Sequence, residues 1–189
     1  MRTVTIIKTY YQFHELSPES QRGVIEKLWD INVDHDWWDF TYEYAKNIGL
    51  EITGFDIYYH DISGKLTDYT SNVAERILKG HGETTETYKL AEQYIKDRKE
   101  RETVLKTRQC QYEANVLCVP KYDIEELSWN YSEISEDDFE VLNTEFERAL
   151  KEEYLSILRK EYEYLTSEES IIETIEANEY EFDEEGNLQ

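Results

Sequence analysis

The 189 residues carry 39% hydrophobic and 14% aromatic side chains, enough for one sizeable core. Forty-three acidic residues stand against 20 basic ones, a net charge of −23, which argues against direct contact with nucleic acid or an anionic membrane. No apolar run approaches the roughly 20 residues that cross a bilayer, residues 1–13 lack a signal-peptide pattern, and Cys110 and Cys118 are the only thiols. A soluble, cytoplasmic protein without a cofactor is the expectation.

In chain order, residues 3–13 (TVTIIKTYYQF) are β-branched and aromatic and predict a strand. Ser17 at the N-cap, Pro18 at the first helical position and Glu19 in the first turn open a helix whose stripe is Val24, Leu28 and Ile31. The stretch from Val33 to Ile48 looks like the organising centre of the core. Trp37, Phe40, Tyr44 and Ile48 recur at helical spacing and predict one bulky face, Trp38 and Tyr42 point elsewhere so that the helix packs on two sides, and Gly49 is the stop. Residues 50–59 read as a second strand kinked at Gly54. A turn centred on Ser63-Gly64 allows a hairpin return through Lys65 to Tyr69. Ser71 caps a short helix stopped by Gly80-His81-Gly82, and a long helix spans about Thr85 to Asn115. After a connector, Ser135 to Asp138 resemble a capping box. Phe139, Leu142, Phe146, Leu150, Tyr154, Ile157 and Leu158 then mark a helix to about Leu165. Thr166 or Ser167 caps a last helix ending at Asn178, and Tyr180 to Leu188 forms a tail with a Gly-Asn turn.

These elements predict an α+β fold, a mainly helical single domain over 1–189. Its small antiparallel sheet takes the N-terminal strand and the 50–59 strand, with the C-terminal tail as a candidate third member. Within it, 1–70 is the strand and aromatic-helix core, 71–121 a mixed-charge helical region and 122–189 a strongly acidic one.

The charge is unevenly placed. Residues 122–189 hold 23 acidic and 4 basic side chains, and no Lys or Arg follows Lys160. The mixed charges along the 139–165 helix predict pairing on its own surface. Its flanks are different: Asp123 to Glu147 contains 10 acids and Glu161 to Glu185 contains 11, with no base in either. Were these segments to fold together, they would present a negative surface resembling a phosphate backbone. The partner-binding candidates are therefore Asp123, Glu125, Glu126, Glu133, Glu136, Asp137 and Asp138 in the first segment. In the second they are Glu161, Glu163, Glu168, Glu169, Glu173, Glu176, Glu181, Asp183, Glu184 and Glu185.

Catalytic signatures are sparse. Asp34, His35 and Asp36, with His60 and Asp61 elsewhere, are metal-ligand types, but no HxxxH, ExxH or CxxC spacing brings them together, and helix capping is the favoured role. His14 and His81 stand alone. Cys110 and Cys118 are eight residues apart, sharing a helix face without reach for a bridge. No phosphate loop or nucleophile elbow occurs.

Two ends of the chain carry a resemblance. Phe13-His14-Glu15-Leu16-Ser17-Pro18-Glu19-Ser20-Gln21 and Asn32-Val33-Asp34-His35-Asp36-Trp37-Trp38 open it. Tyr164-Leu165-Thr166-Ser167-Glu168-Glu169 and the run from Ala177 to Gly186 close it. Together they resemble a family of small phage and prophage proteins of unassigned function. Where that family has an aromatic, Gly-rich segment, this chain has Phe55 to Gly64. The resemblance implies a phage origin and no known reaction. The leading expectation is a non-enzymatic, phage-encoded binding protein of anti-CRISPR or anti-restriction type. It would occupy the basic nucleic-acid groove of a host protein as a DNA mimic. Two alternatives are a helical protein that self-assembles into a homo-oligomer, and a metal-dependent enzyme built on the Asp and His residues above.

Overall fold

The computed structural model describes residues 8–118 and 136–189, with only the helical backbone described for 107–118, 136 and 137. The described elements are β1 (Tyr11–Gln12), α1 (Pro18–Lys27), α2 (Asp39–Ile48), β2 (Leu50–Asp56), β3 (Asp61–Leu66), α3 (Thr70–Gly80), α4 (Glu86–Cys118), α5 (Glu136–Leu165), α6 (Glu168–Ala177) and β4 (Glu181–Phe182). The fold is α+β and mainly helical. Instead of one sheet there are two antiparallel pairs among the described residues, β1 with β4 and β2 with β3. The strand expected over 3–13 is described only at Tyr11–Gln12, and Phe13–Glu15 turns into a single 3-10 turn.

The chain forms two compact units, residues 1–40 with 157–189 and residues 41–156. The first joins the two chain ends around Phe13, Leu16, Val24, Ile171, Ile175 and Phe182, all buried. Its helices start as their sequences dictate: Ser17 Oγ accepts the Ser20 amide (3.1 Å) and Ser167 Oγ the Ser170 amide (3.2 Å). Asn32 ties the loop after α1 to α6. Its amide donates to the Leu165 carbonyl (3.0 Å) and Ser170 Oγ (3.1 Å), and its oxygen accepts from Thr174 (2.7 Å). Gly186 has φ +75 and sits where a Cβ would lie 2.9 Å from Val24 Cγ2. The close approach of this tail to α1 therefore requires glycine.

In the second unit α3 packs on α4, and Tyr94 of α4 meets Phe146 of α5 at 4.7 Å between ring centres. Tyr42 of α2 meets Phe55 of β2 edge-on at 6.1 Å. Gly49, at φ +97, ends α2, and the bulge expected at Gly54 appears as a register shift between Ile52 and Gly54. The hairpin turns earlier than expected. Asp56 Oδ1 accepts the amides of Tyr58 (2.8 Å) and Tyr59 (2.9 Å), and His60 takes φ +54, so the chain reverses at Ile57–His60. Ser63 and Gly64 are strand residues. A Cβ on Gly64 would come within 2.6 Å of the Glu51 carbonyl oxygen, so this glycine serves strand proximity and not a turn.

α2 corrects the expected core. Its buried positions are Thr41, Ala45 and Ile48, preceded by Trp37, whereas Phe40 is 82% and Tyr44 57% exposed. Trp37 and Ile48 of the expected stripe are therefore core residues, while Phe40 and Tyr44 are not and Thr41 and Ala45 take their place. α3 has a similar correction: it starts at Thr70, without a side-chain cap at its N-cap Tyr69. Asp68 Oδ1 instead accepts the Tyr69 amide (2.7 Å) and the Asn72 side chain (3.0 Å). On α5, Leu142, Phe146, Leu150, Tyr154 and Leu158 are buried at four-residue intervals, as their spacing predicts. No helix among the described residues is long and apolar enough to cross a membrane.

Candidate functional site

The first unit has 73 residues, 18 of them acidic and 6 basic, a net charge of −12; the larger second unit has 25 and 14, a net of −11. The second unit pairs part of its charge locally, whereas Glu92, Glu100, Glu140 and Glu145 have no Lys or Arg partner among the described residues. Glu75 with Lys79, Arg98 with Glu102, Glu147 with Lys151 and Arg148 with Glu152 are i,i+4 pairs, and Glu51 with Lys65 joins β2 to β3. Its cleft of about 830 Å³, bounded by Asp68, Tyr69, Arg98, Asn143 and Glu147, is electrically balanced for the same reason. Asp68 is held by Arg76, Arg98 by Glu102 and Glu147 by Lys151.

The first unit does not balance its charge this way. On α6, Glu169, Glu173 and Glu176 are exposed at four- and three-residue spacing, opposite the buried Ser170, Ile171 and Ile175. Glu168 is exposed beside them, and both Glu168 and Glu169 suit the positive end of the helix dipole. Glu173 accepts a long hydrogen bond from Tyr164 (3.5 Å). Among the described residues none of Glu168, Glu169, Glu176, Glu181, Glu184 and Glu185 has a Lys or Arg partner.

The C-terminal loop is rigidly built. Asp183 Oδ1 accepts the amides of Glu185 (3.1 Å) and Asn187 (2.8 Å), and the Asn187 side chain donates to both Asp183 oxygens. The Asn187 side chain, followed by the backbone amides of Asn187 and Glu185, holds the Asp183 carboxyl below the usual range. Lys27 binds the loop through the Gly186 carbonyl (3.3 Å) and Asn187 Oδ1 (2.8 Å), and Ser20 Oγ donates to the Glu184 carbonyl (2.9 Å). Asp183 is thus a structural residue, while its neighbours Glu184 and Glu185 project outward. They line a cleft of about 460 Å³ with Tyr11, Glu15, Ser17 and Ser20. Glu15, which the sequence reading passed over, comes to this edge because β1 pairs with β4; only that long-range pairing reveals it.

The remaining candidates divide. Glu161, half-buried, and Glu163, exposed, lie near the end of α5 in the same unit. Asp138 lies near the start of α5 in the second unit, half-buried, its carbonyl accepting from Arg101. Glu136 and Asp137 are known only as α5 backbone, and Asp123, Glu125, Glu126 and Glu133 lie outside the described residues. Asp34 Oδ1 and His35 Nδ1 are 3.2 Å apart and both two-thirds exposed; among the described residues no three His, Cys, Asp or Glu side chains converge as a metal site would require. α4 continues through Cys110 and Cys118, as their spacing reading assumed. Comparison with family models, curated proteins and solved structures finds no match.

Proposed function

We propose that this chain is a phage-encoded, non-enzymatic binding protein that occupies the basic nucleic-acid groove of a host defence protein as a nucleic-acid mimic. The observation that carries this reading is the run of exposed glutamates on α6 and the C-terminal loop, Glu168, Glu169, Glu173, Glu176, Glu181, Glu184 and Glu185, without a Lys or Arg partner among the described residues. Carboxylates left unneutralised on a rigid support are the counterpart of Lys and Arg side chains placed to hold phosphates. Trp29, Phe40 and Tyr164, each about half exposed or more, give the same unit aromatic anchors of the kind that carry binding energy. The phage origin rests on the resemblance at the two chain ends. Such a complex would associate fast and lose affinity as salt screens the opposite charges.

The test is affinity capture from a bacterial lysate at low and high salt, followed by competition with an oligonucleotide. The expected partner binds nucleic acid, is displaced by it, and is lost when Glu169, Glu173 and Glu176 are changed together to Gln. A partner insensitive to salt, oligonucleotide and this triple change overturns the reading.

A further inference from the structure

The second unit holds a histidine that the acidic face does not use. His81 follows the last residue of α3, its amide donating to the Ile77 carbonyl (2.8 Å), and its ring lies against Tyr44 of α2 with centroids 5.3 Å apart. Nδ1 is 2.7 Å from Thr87 Oγ1, at the start of α4. Nε2 is buried and has no hydrogen-bond partner among the described residues.

The neighbouring hydroxyls leave two arrangements. Thr85 Oγ1 gives its single proton to the Gly82 carbonyl (2.8 Å), so Thr87 has its own proton to give either to Thr85 Oγ1 (3.2 Å) or to His81 Nδ1 (2.7 Å). If Thr87 donates to Thr85, it accepts from an Nδ1–H of His81 and Nε2 is a bare lone pair; the other arrangement buries an Nε2–H without an acceptor among the described residues, so the Nδ1–H form is favoured. A buried polar atom in that position is rare enough to need a reason.

We propose that His81 is a pH-sensitive latch at the α3–α4 corner: closed while neutral, and released when protonation puts a second N–H into the interior with nothing to accept it. Tyr44 from α2 and Thr87 from α4 meet the ring. The charged residues nearest in sequence, Lys79, Glu83, Glu86 and Lys89, are exposed. From α5, Tyr154 is raised in pKa by burial and then by the Tyr44 phenol, and its hydroxyl is the other buried polar atom without a partner among the described residues. The C-terminus of α3 favours a cation at His81, yet burial outweighs it and lowers the pKa from the ordinary 6.5.

The sign follows. The unfolded chain takes up the proton as pH drops below 6.5, whereas the folded chain resists until its own lower value. Stability from His81 is thus complete above pH 6.5, falls as pH drops through that interval, and then levels off. Each unit of separation costs about tenfold in the folding equilibrium.

Nitrogen-resolved NMR of the imidazole tests this directly in the full chain. The expected result is an Nδ1–H tautomer at pH 7.5 and a midpoint clearly below 6.5, with faster amide exchange at residues 78–88 as the ring titrates. His81→Asn keeps a donor for Thr87 and cannot be charged, so its stability should lose the pH 5–7 dependence that the wild type shows. A midpoint at or above 6.5, or an Nε2–H tautomer at pH 7.5, overturns the proposal. So does a folded variant with an unchanged pH curve. If the variant does not fold, the wild-type midpoint and tautomer decide alone.

Discussion

Both units are acidic, but they treat their carboxylates differently. In the 41–156 unit, Glu75, Glu86, Glu102, Glu147 and Glu152 sit one helical turn from the Lys or Arg that pairs with each. In the unit formed by the two chain ends, no base follows Lys160, and the acids of α6 and the tail project outward above a small apolar core. Net charge is therefore a weak guide to surface field: −11 with seven acids in ion pairs among the described residues is a different object from −12 on 73 residues with the exposed glutamates of α6 and the tail unpaired.

The hardest blow to that contrast is Phe182→Ala. Phe182 is fully buried where the tail meets α1 and α6, and its loss should cost about 3–5 kcal/mol in chemical denaturation. Hydrogen exchange should then rise first in residues 8–40 and 157–189; equal loss of protection across 41–106 would erase the distinction. Gly186→Ala should cost about 1–3 kcal/mol, since φ +75 and the 2.9 Å approach to Val24 both disfavour a Cβ. A wild-type midpoint in that variant would mean the tail packs less closely than described.

pH separates the units more gently. Asp183 has a folded pKa below its ordinary 3.8, so its contribution is present above that value and fades as pH falls through the folded one. Amide exchange at Glu185 and Asn187 should therefore rise only in acid, whereas the His81 corner responds just below 6.5. Asp183→Asn should remove the acid arm while leaving the His81 response in place. The smallest effect belongs to the paired unit. Glu75→Gln should cost about 0.3–0.5 kcal/mol, because its partner Lys79 is exposed and screened by salt. A larger loss would mean that the ion pairs do more than neutralise.

Much of the fold was legible in the residues themselves. Ser17-Pro18, Ser167 and Gly49 mark helix ends because capping chemistry acts within four residues. The ladder from Leu142 to Leu158 was readable because a helix with one buried side repeats its apolar side chains. Where contact with distant elements decides, the pattern misled. Phe40 and Tyr44 suggested a core face by size, yet Thr41 and Ala45 are the buried positions beside the expected Trp37 and Ile48. Gly64 suggested a turn, but its lack of a side chain accommodates Glu51 on the neighbouring strand. The candidate site was half legible: the acids of α6 are written in the sequence, but Glu15 joins their edge only through β1–β4 pairing.

By itself the sequence determined that the chain is α+β and mainly helical, where most helices begin and end, and that negative charge accumulates toward its C-terminus. Those properties depend on neighbours in the chain and on composition. Tertiary structure alone decided that, among the described residues, the strands form two separate pairs and His81 has a buried nitrogen without a partner, and that the chain ends build a unit of their own. Each of these depends on which distant groups meet, and that is settled by packing across the fold.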